Sequence, residues 1–232
     1  MNTILELEHE RTYRQAEDYK VSDDTFSEEE TEAEVKFEDG FLELRQEARK
    51  HDLSLDDLEY MYSGSLFYRF LLAKGGMMLH SSAVVVDGYA YLFSADSGTG
   101  KSTHTQLWLK HFGDRAYILN DDKPAIRKIG NEWFAYGTPW SGKTDMNVNK
   151  KVKLGAIVFL ERSEDNFIEE AEAEWIIPKV ISQTTRKLKA VENLDYLLAT
   201  LEKLIADVPV YRFGCNISDE AVVTSYEAVR RV

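Results

Sequence analysis

Apolar residues along this chain recur in two periods, and the switches between them mark its elements. Alternation over Thr3 to Glu8 predicts a short edge strand, and Val35 to Leu44 (VKFEDGFLEL) predicts a hairpin turning at Asp39-Gly40. Ser54-Leu55-Asp56-Asp57 has the form of a helix start, with Ser54 as cap and acids in the first turn. The series Leu58, Met61, Tyr62, Ser65, Leu66, Arg69, Phe70 then follows one helical face until Gly75-Gly76. At Met78 the period becomes two. MLHSSAVVV (Met78 to Val86), the turn Asp87-Gly88 and YAYLFS (Tyr89 to Ser94) predict a β-hairpin that runs directly into ADSGTGKST.

Beyond Lys101, the residues Thr105, Leu107, Trp108, His111 and Phe112 share a helical face that stops at Gly113. Strands are predicted at AYILN (Ala116 to Asn120) and at PAIRKI and EWFAY on either side of Gly130-Asn131. LGAIVFLE (Leu154 to Glu161) is a continuous apolar run of the kind buried on both faces. From Pro178 to Asp207 the pattern is helical, VPVYRF (Val208 to Phe213) returns as a strand, and Ser218 caps a last helix. Strands interleaved with helices indicate an α/β fold.

Composition narrows the function classes. The chain has 232 residues, 44% of them hydrophobic, enough for one real core with a small N-terminal elaboration. A net charge of -13 argues against a nucleic-acid partner, whose phosphates need clustered lysine and arginine. Residues 22–59 hold 15 acidic side chains against four basic ones, and such a segment cannot pack alone. It reads as a solvated face, with a docking surface for a basic peptide as the sharper alternative. The lone Cys215 can form no internal disulfide and fits a packed core thiol in a reducing compartment. MNTILELEHERTYRQ is charged too early for a signal peptide, and no segment of about 20 apolar residues occurs, so no membrane partner and a cytoplasmic location are expected.

Two stretches compete as a phosphate loop. GTPWSGKT (Gly137 to Thr144) matches GxxxxGK[ST] in every letter, whereas ADSGTGKS (Ala95 to Ser102) has alanine in place of the first glycine. Such a loop works because successive backbone N–H groups curl around anionic oxygens and a helix opening at the lysine adds its dipole. GTPWSGKT puts Pro139, which has no N–H, and bulky Trp140 into the cradle, and no amphipathic helix follows. ADSGTGKS has the strand before it, the helix after it and small residues between. Ala95 stands at the strand exit, where a methyl group fits if φ is negative. The nucleotide-binding residues are therefore expected to be Ala95, Asp96, Ser97, Gly98, Thr99, Gly100, Lys101, Ser102 and Thr103, with Lys101 reaching the β and γ phosphates and Ser102 on Mg²⁺.

Asp121 and Asp122 follow AYILN at a strand end, where an open α/β sheet places its reactive groups. Adjacent carboxylates permit a division of labour, one on the metal or its water and the other taking a proton from an attacking hydroxyl. Their chemistry does not say which does which. His80, on MLHSSAVVV, would sit across the hairpin from the loop's approach, within reach of the γ-phosphate.

A histidine twenty-one residues before the loop lysine, a VVVDGYAYLF hairpin, DSGxGKS and an Asp-Asp pair at a strand end together resemble the catalytic domain of bacterial HPr kinase/phosphorylase, a fold related to the ATP-dependent phosphoenolpyruvate carboxykinases. The resemblance covers residues 76–130 and, more loosely, 150–162. It implies a mixed, twisted sheet with a phosphate loop and flanking helices over residues 76–232, while the composition makes residues 1–75 an acidic α+β elaboration that does not fold independently, the whole expected to form one compact unit. It further implies transfer of phosphate to a serine hydroxyl, with Asp122 as proton acceptor, Asp121 beside the metal, and His80 and Lys101 as active-site groups. Ala95 in place of the first loop glycine, Ser-Ser after His80 and the missing separate N-terminal domain are departures. The acceptor is accordingly expected only to be a hydroxyl-bearing protein, peptide or small molecule, and the oligomeric state stays open.

Lys123, Arg127, Lys128, Lys143, Lys150, Lys151 and Lys153 make one locally basic region in an acidic chain. The loop Gly137 to Lys151 is expected to lie over the site, with Lys143 on the substrate side. Two other readings stand beside the kinase: a nucleotide-binding accessory module without transfer, and a carboxykinase-like enzyme acting on an enol oxygen.

Overall fold

The computed structural model describes residues 54–184 and 191–231. The strand expected at Thr3 to Glu8, the hairpin at Val35 to Leu44 and most of the acidic run lie outside those residues. Helix α1 (Leu55–Ala73) begins as its sequence indicates, for the Ser54 hydroxyl oxygen accepts the Asp57 N–H at 3.0 Å. Among its described side chains Ser63, Leu66, Tyr68 and Leu72 are buried, while Met61, Ser65 and Arg69 are exposed, so the apolar series identified a face displaced from the buried one. Within α1 the chain divides at Phe70/Leu71 into two compact units. The second carries everything described below.

Strands β1 (Gly76–Met78), β2 (Ser81–Val86) and β3 (Tyr89–Ser94) lead into helix α2 (Lys101–Phe112). After a short 3-10 turn come β4 (Ala116–Asn120), β5 (Ala125–Ile129), β6 (Glu132–Tyr136), β7 (Lys151–Arg162) and β8 (Phe167–Glu170). Helices α3 (Ala173–Gln183) and α4 (Val191–Asp207), strand β9 (Val210–Cys215) and helix α5 (Asp219–Val229) complete the unit. The strands form one curled mixed sheet in the order β1-β5-β6-β7-β3-β2-β4, with β9 pairing both β7 and β8. β7 is the axis of the sheet. It runs parallel to β3 on one side, and on the other pairs first with β6, antiparallel, and then with β9, parallel. Every residue from Leu154 to Leu160 is buried, as expected of a strand covered on both faces.

Two expectations about local structure need correction. Met78 to Val86 is not one strand: β1 pairs with β5 and β2 pairs with β3 and β4, the break falling at Leu79-His80. There the backbone N–H groups leave the ladder, Leu79 donating to Pro124 O and His80 to Gln183 O. The helical pattern read from Pro178 begins earlier, at Ala173, and is two helices, α3 and α4.

The core fixes α2 against the sheet. Trp108, Tyr91, Phe93 and Phe213 are all at most 2% exposed, and the Phe93 ring stands edge-on to Trp108 at 5.2 Å and to His104 at 4.7 Å. Burial of each such side chain stabilises the fold by roughly 2–3 kcal/mol relative to exposure. Because Trp108 and His104 lie on the buried face of α2, the same packing fixes the position of Lys101 at its first turn. Among the described residues no helix is long and apolar enough to cross a membrane.

Candidate active site

Strand register brings the candidate residues to one end of the sheet. Ser81 pairs with Ser94, and Ala83 with Asn120, so the start of β2, the exit of β3 and the exit of β4 coincide. His80, the segment Ala95–Gly100 and Asp121-Asp122 are the residues just beyond those ends. The carboxyl ends of β3 and β4 are where this class of sheet exposes backbone and turns to ligands.

Between β3 and α2 the chain makes a tight loop. Gly98 and Gly100 have φ of 80° and 125°, which L side chains rarely adopt, and a Cβ added to either would meet nothing within 4 Å. Ala95 has no such requirement: its φ is not positive, and its methyl group is buried in the core. The alanine in the first position of the motif is therefore compatible with the turn. No side chain caps the start of α2 at Gly100. The Lys101 ammonium donates to the Ala95 carbonyl at 2.9 Å and lies near that of Asp96 at 3.4 Å. Burial pushes Lys101 below the usual lysine range, while Asp122, Asp121 and Asp96 pull the other way. Three carboxylates thus favour its charged form, and the neighbouring Lys123 ammonium opposes them. Arg162, at the end of β7, donates to Gly98 O at 2.6 Å, a contact that the sequence did not announce.

The two aspartates occupy different surroundings. Asp121 is buried, and its Oδ1 accepts the Ser82 hydroxyl at 2.5 Å, which in turn contacts the Thr105 hydroxyl at 2.8 Å. Asp122 is more accessible. Its Oδ2 pairs with Lys123 Nζ at 2.5 Å, and its Oδ1 lies 3.4 Å from His80 Nε2. Burial, then Lys101, lowers the His80 pKa from its ordinary value, against the opposing pull of Asp122 and Gln183.

Asn120 organises the turn that carries both acids. It is fully buried, and its Oδ1 accepts the N–H groups of Asp122 and Lys123 at 2.9 and 2.7 Å. Its Nδ2 donates to Thr138 O at 2.9 Å, tying that turn to the segment Gly137–Thr144. GTPWSGKT is accordingly no cradle. Trp140 and Ser141 are buried, a turn and one isolated bridge at Asn147 follow instead of a helix, and Gly137 is pressed so closely on Val148 and Leu119 that a Cβ would lie 2.0 Å from Val148 O. Its place is beside the aspartates, with Gly142 against the Asp122 side chain and Lys143 exposed next to it.

The basic region is more dispersed than its sequence suggested. Lys123 reaches Asp122, but Lys128 pairs with Asp207, Lys153 with Glu132, and Lys150 and Lys151 lie over Tyr117 and Phe134. Gln183, Asn120 and Ser82 had no assigned role in the sequence reading. Gln183 lies 103 residues from His80 in the chain, and no local pattern marks it.

No protein-family model matches the sequence, and no curated protein matches it. Among solved structures, the HPr(Ser) kinase/phosphatase from Coxiella burnetii is similar over 66% of this chain and 95% of that one, at 11% identity and a TM-score of 0.38. At those values the likeness is distant.

Proposed function

We propose that this protein is an ATP- and Mg²⁺-dependent phosphotransferase acting on a hydroxyl group. The observation that carries the reading is the convergence of Lys101, Asp121, Asp122 and His80 on one uncapped, glycine-turned loop at the end of the sheet. The loop suits polyphosphate: two glycines hold the turn, open space lies at the Cβ position of both, and no side chain at the Gly100 cap competes for the start of α2. Lys101 would leave the Ala95 and Asp96 carbonyls for phosphate oxygens. Ser102 and Asp121 are the groups suited to Mg²⁺, which would supply charge neutralisation across the phosphates. Ser82 occupies one oxygen of Asp121 and leaves the other for that role.

Asp122 is the better placed to accept the acceptor's proton, since it is the more accessible of the two and is oriented by Lys123. Lys143, beside Gly142, would meet an anionic part of the acceptor or the transferring phosphate. Peptides bearing serine and small polyols are the acceptors to screen.

The test is phosphate transfer from labelled ATP to such acceptors, with ATP consumption followed in their absence. Asp122→Asn should keep nucleotide affinity and lose about 10²–10⁴-fold in transfer. If Asp122→Asn transfers as well as the native protein, the base assignment is wrong. Nucleotide binding with no transfer to any acceptor would favour an accessory module instead.

A further inference from the structure

Gln183, the last residue of α3, joins two parts of the candidate site that no other side chain joins among the described contacts. Its Nε2 lies 2.8 Å from Asp96 Oδ1 in the β3–α2 loop, and its Oε1 lies 3.0 Å from His80 Nδ1. Its backbone carbonyl also accepts the His80 N–H at 2.8 Å, and the side chain is 7% exposed. A carboxylate oxygen only accepts hydrogen bonds, so the amide must turn its NH₂ to Asp96 and hence its oxygen to His80. An amide oxygen also only accepts. Nδ1 of His80 must therefore carry the proton, which leaves the Nε2 lone pair of the neutral ring facing Asp122 Oδ1 at 3.4 Å.

We propose that Gln183 is a positioning residue: anchored by Asp96, it holds His80 in the Nδ1–H tautomer and so presents an unprotonated Nε2 to the Asp122 side of the site. The consequence for catalysis rests on the phosphotransfer reading. There, Nε2 is a ready acceptor beside the carboxylate proposed to receive the substrate's proton, and the opposite tautomer would fill that position with an N–H. Because Asp96 belongs to the proposed nucleotide loop, the tautomer is tied to the geometry of that loop.

The tautomer is read directly from imidazole ¹⁵N shifts and long-range ¹H–¹⁵N couplings in the full chain, at about pH 8.5 so that an ordinary histidine is neutral. The His80 signals are assigned by their loss in His80→Asn. Native protein should show Nδ1–H. Gln183→Leu, which removes the acceptor, should shift His80 toward Nε2–H, with Asp122 as its new acceptor. Gln183→Leu should also lower kcat by about tenfold or more with little change in KM for nucleotide, as for other residues that orient an imidazole. An Nε2–H tautomer in the native protein, or unchanged Nδ1–H in Gln183→Leu, overturns the proposal. A tautomer shift with undiminished transfer overturns its catalytic part. If the native protein transfers no phosphate to any acceptor, the reaction assigned to the site fails, and the tautomer is still decided by the spectra.

Discussion

Gly142 and Asp122 are in contact across the site: with φ of +68° at the glycine, an added Cβ would lie 3.0 Å from Asp122 Cβ and 3.1 Å from its carboxyl carbon. The glycine of the GTPWSGKT segment is thus required for two reasons. One is its left-handed backbone; the other is the space that the carboxylate occupies.

Gly142→Ala tests both. The left-handed conformation should cost about 1–2 kcal/mol of stability, measured by chemical denaturation. Displacement of Asp122 should lower kcat by about ten- to a hundredfold with nucleotide affinity unchanged, as for small misplacements of a reacting group. Normal turnover in a folded variant would show that Asp122 has room to move or takes no part.

Lys101→Ala separates the two candidate loops. It removes the cation whose charged form Asp122, Asp121 and Asp96 favour. Affinity for ATP, by calorimetry, should fall about ten- to a hundredfold, the worth of a charge-assisted hydrogen bond. Lys143→Ala should leave ATP affinity intact and raise KM for an anionic acceptor. The reverse pattern would return the nucleotide to GTPWSGKT.

Asn120→Ala should cost about 3 kcal/mol, because the Asp122 and Lys123 N–H groups and the Thr138 carbonyl would lose their buried partner. Asn120→Asp should recover the two N–H contacts and not the Thr138 one. Equal loss of stability and of turnover in both variants would mean that the link to Thr138, and not the turn, carries the effect.

Much of the candidate site's local structure was legible because its parts are local. A strand, a glycine turn and a helix start within ADSGTGKST are separate signals that agree, and the helix indeed opens at Lys101 after β3. Pro139 and Trp140 were sufficient to discount the better-spelled motif, since neither suits a ring of N–H donors. The break at Leu79-His80 was not legible, because the residues that take its N–H groups, Pro124 and Gln183, are supplied by distant segments. The dispersal of the lysines has a similar origin: Lys128 and Lys153 have acidic partners at Asp207 and Glu132 that only the fold brings near. Periodicity likewise misplaced the buried face of α1, where Ser63 and Tyr68 are buried and apolar Met61 is not.

His104 offers a prediction about pH that is independent of the proposed reaction. Its ring is 3% exposed between Phe93 and Phe213, and the Trp108 indole N–H donates to its Nε2 at 3.1 Å, so that nitrogen is unprotonated. Burial pushes its pKa down from 6.5 to about 4. Between those values the unfolded chain binds the proton and the folded chain does not, so this contribution to stability is complete above the unfolded pKa and is lost as pH falls toward 4. Linkage puts the loss between pH 7 and 5 at about 2 kcal/mol. His104→Phe keeps an aromatic ring and leaves Ser225 Oγ, at 3.1 Å, as acceptor for the Trp108 N–H. Urea unfolding at both pH values should therefore show native protein losing about 2 kcal/mol more than this variant on acidification, every other titrating group being common to the two. Parallel losses would mean that the buried ring takes up its proton without unfolding, and that the helix bearing Lys101 is less tightly held by its core than the packing of Trp108 and His104 implies.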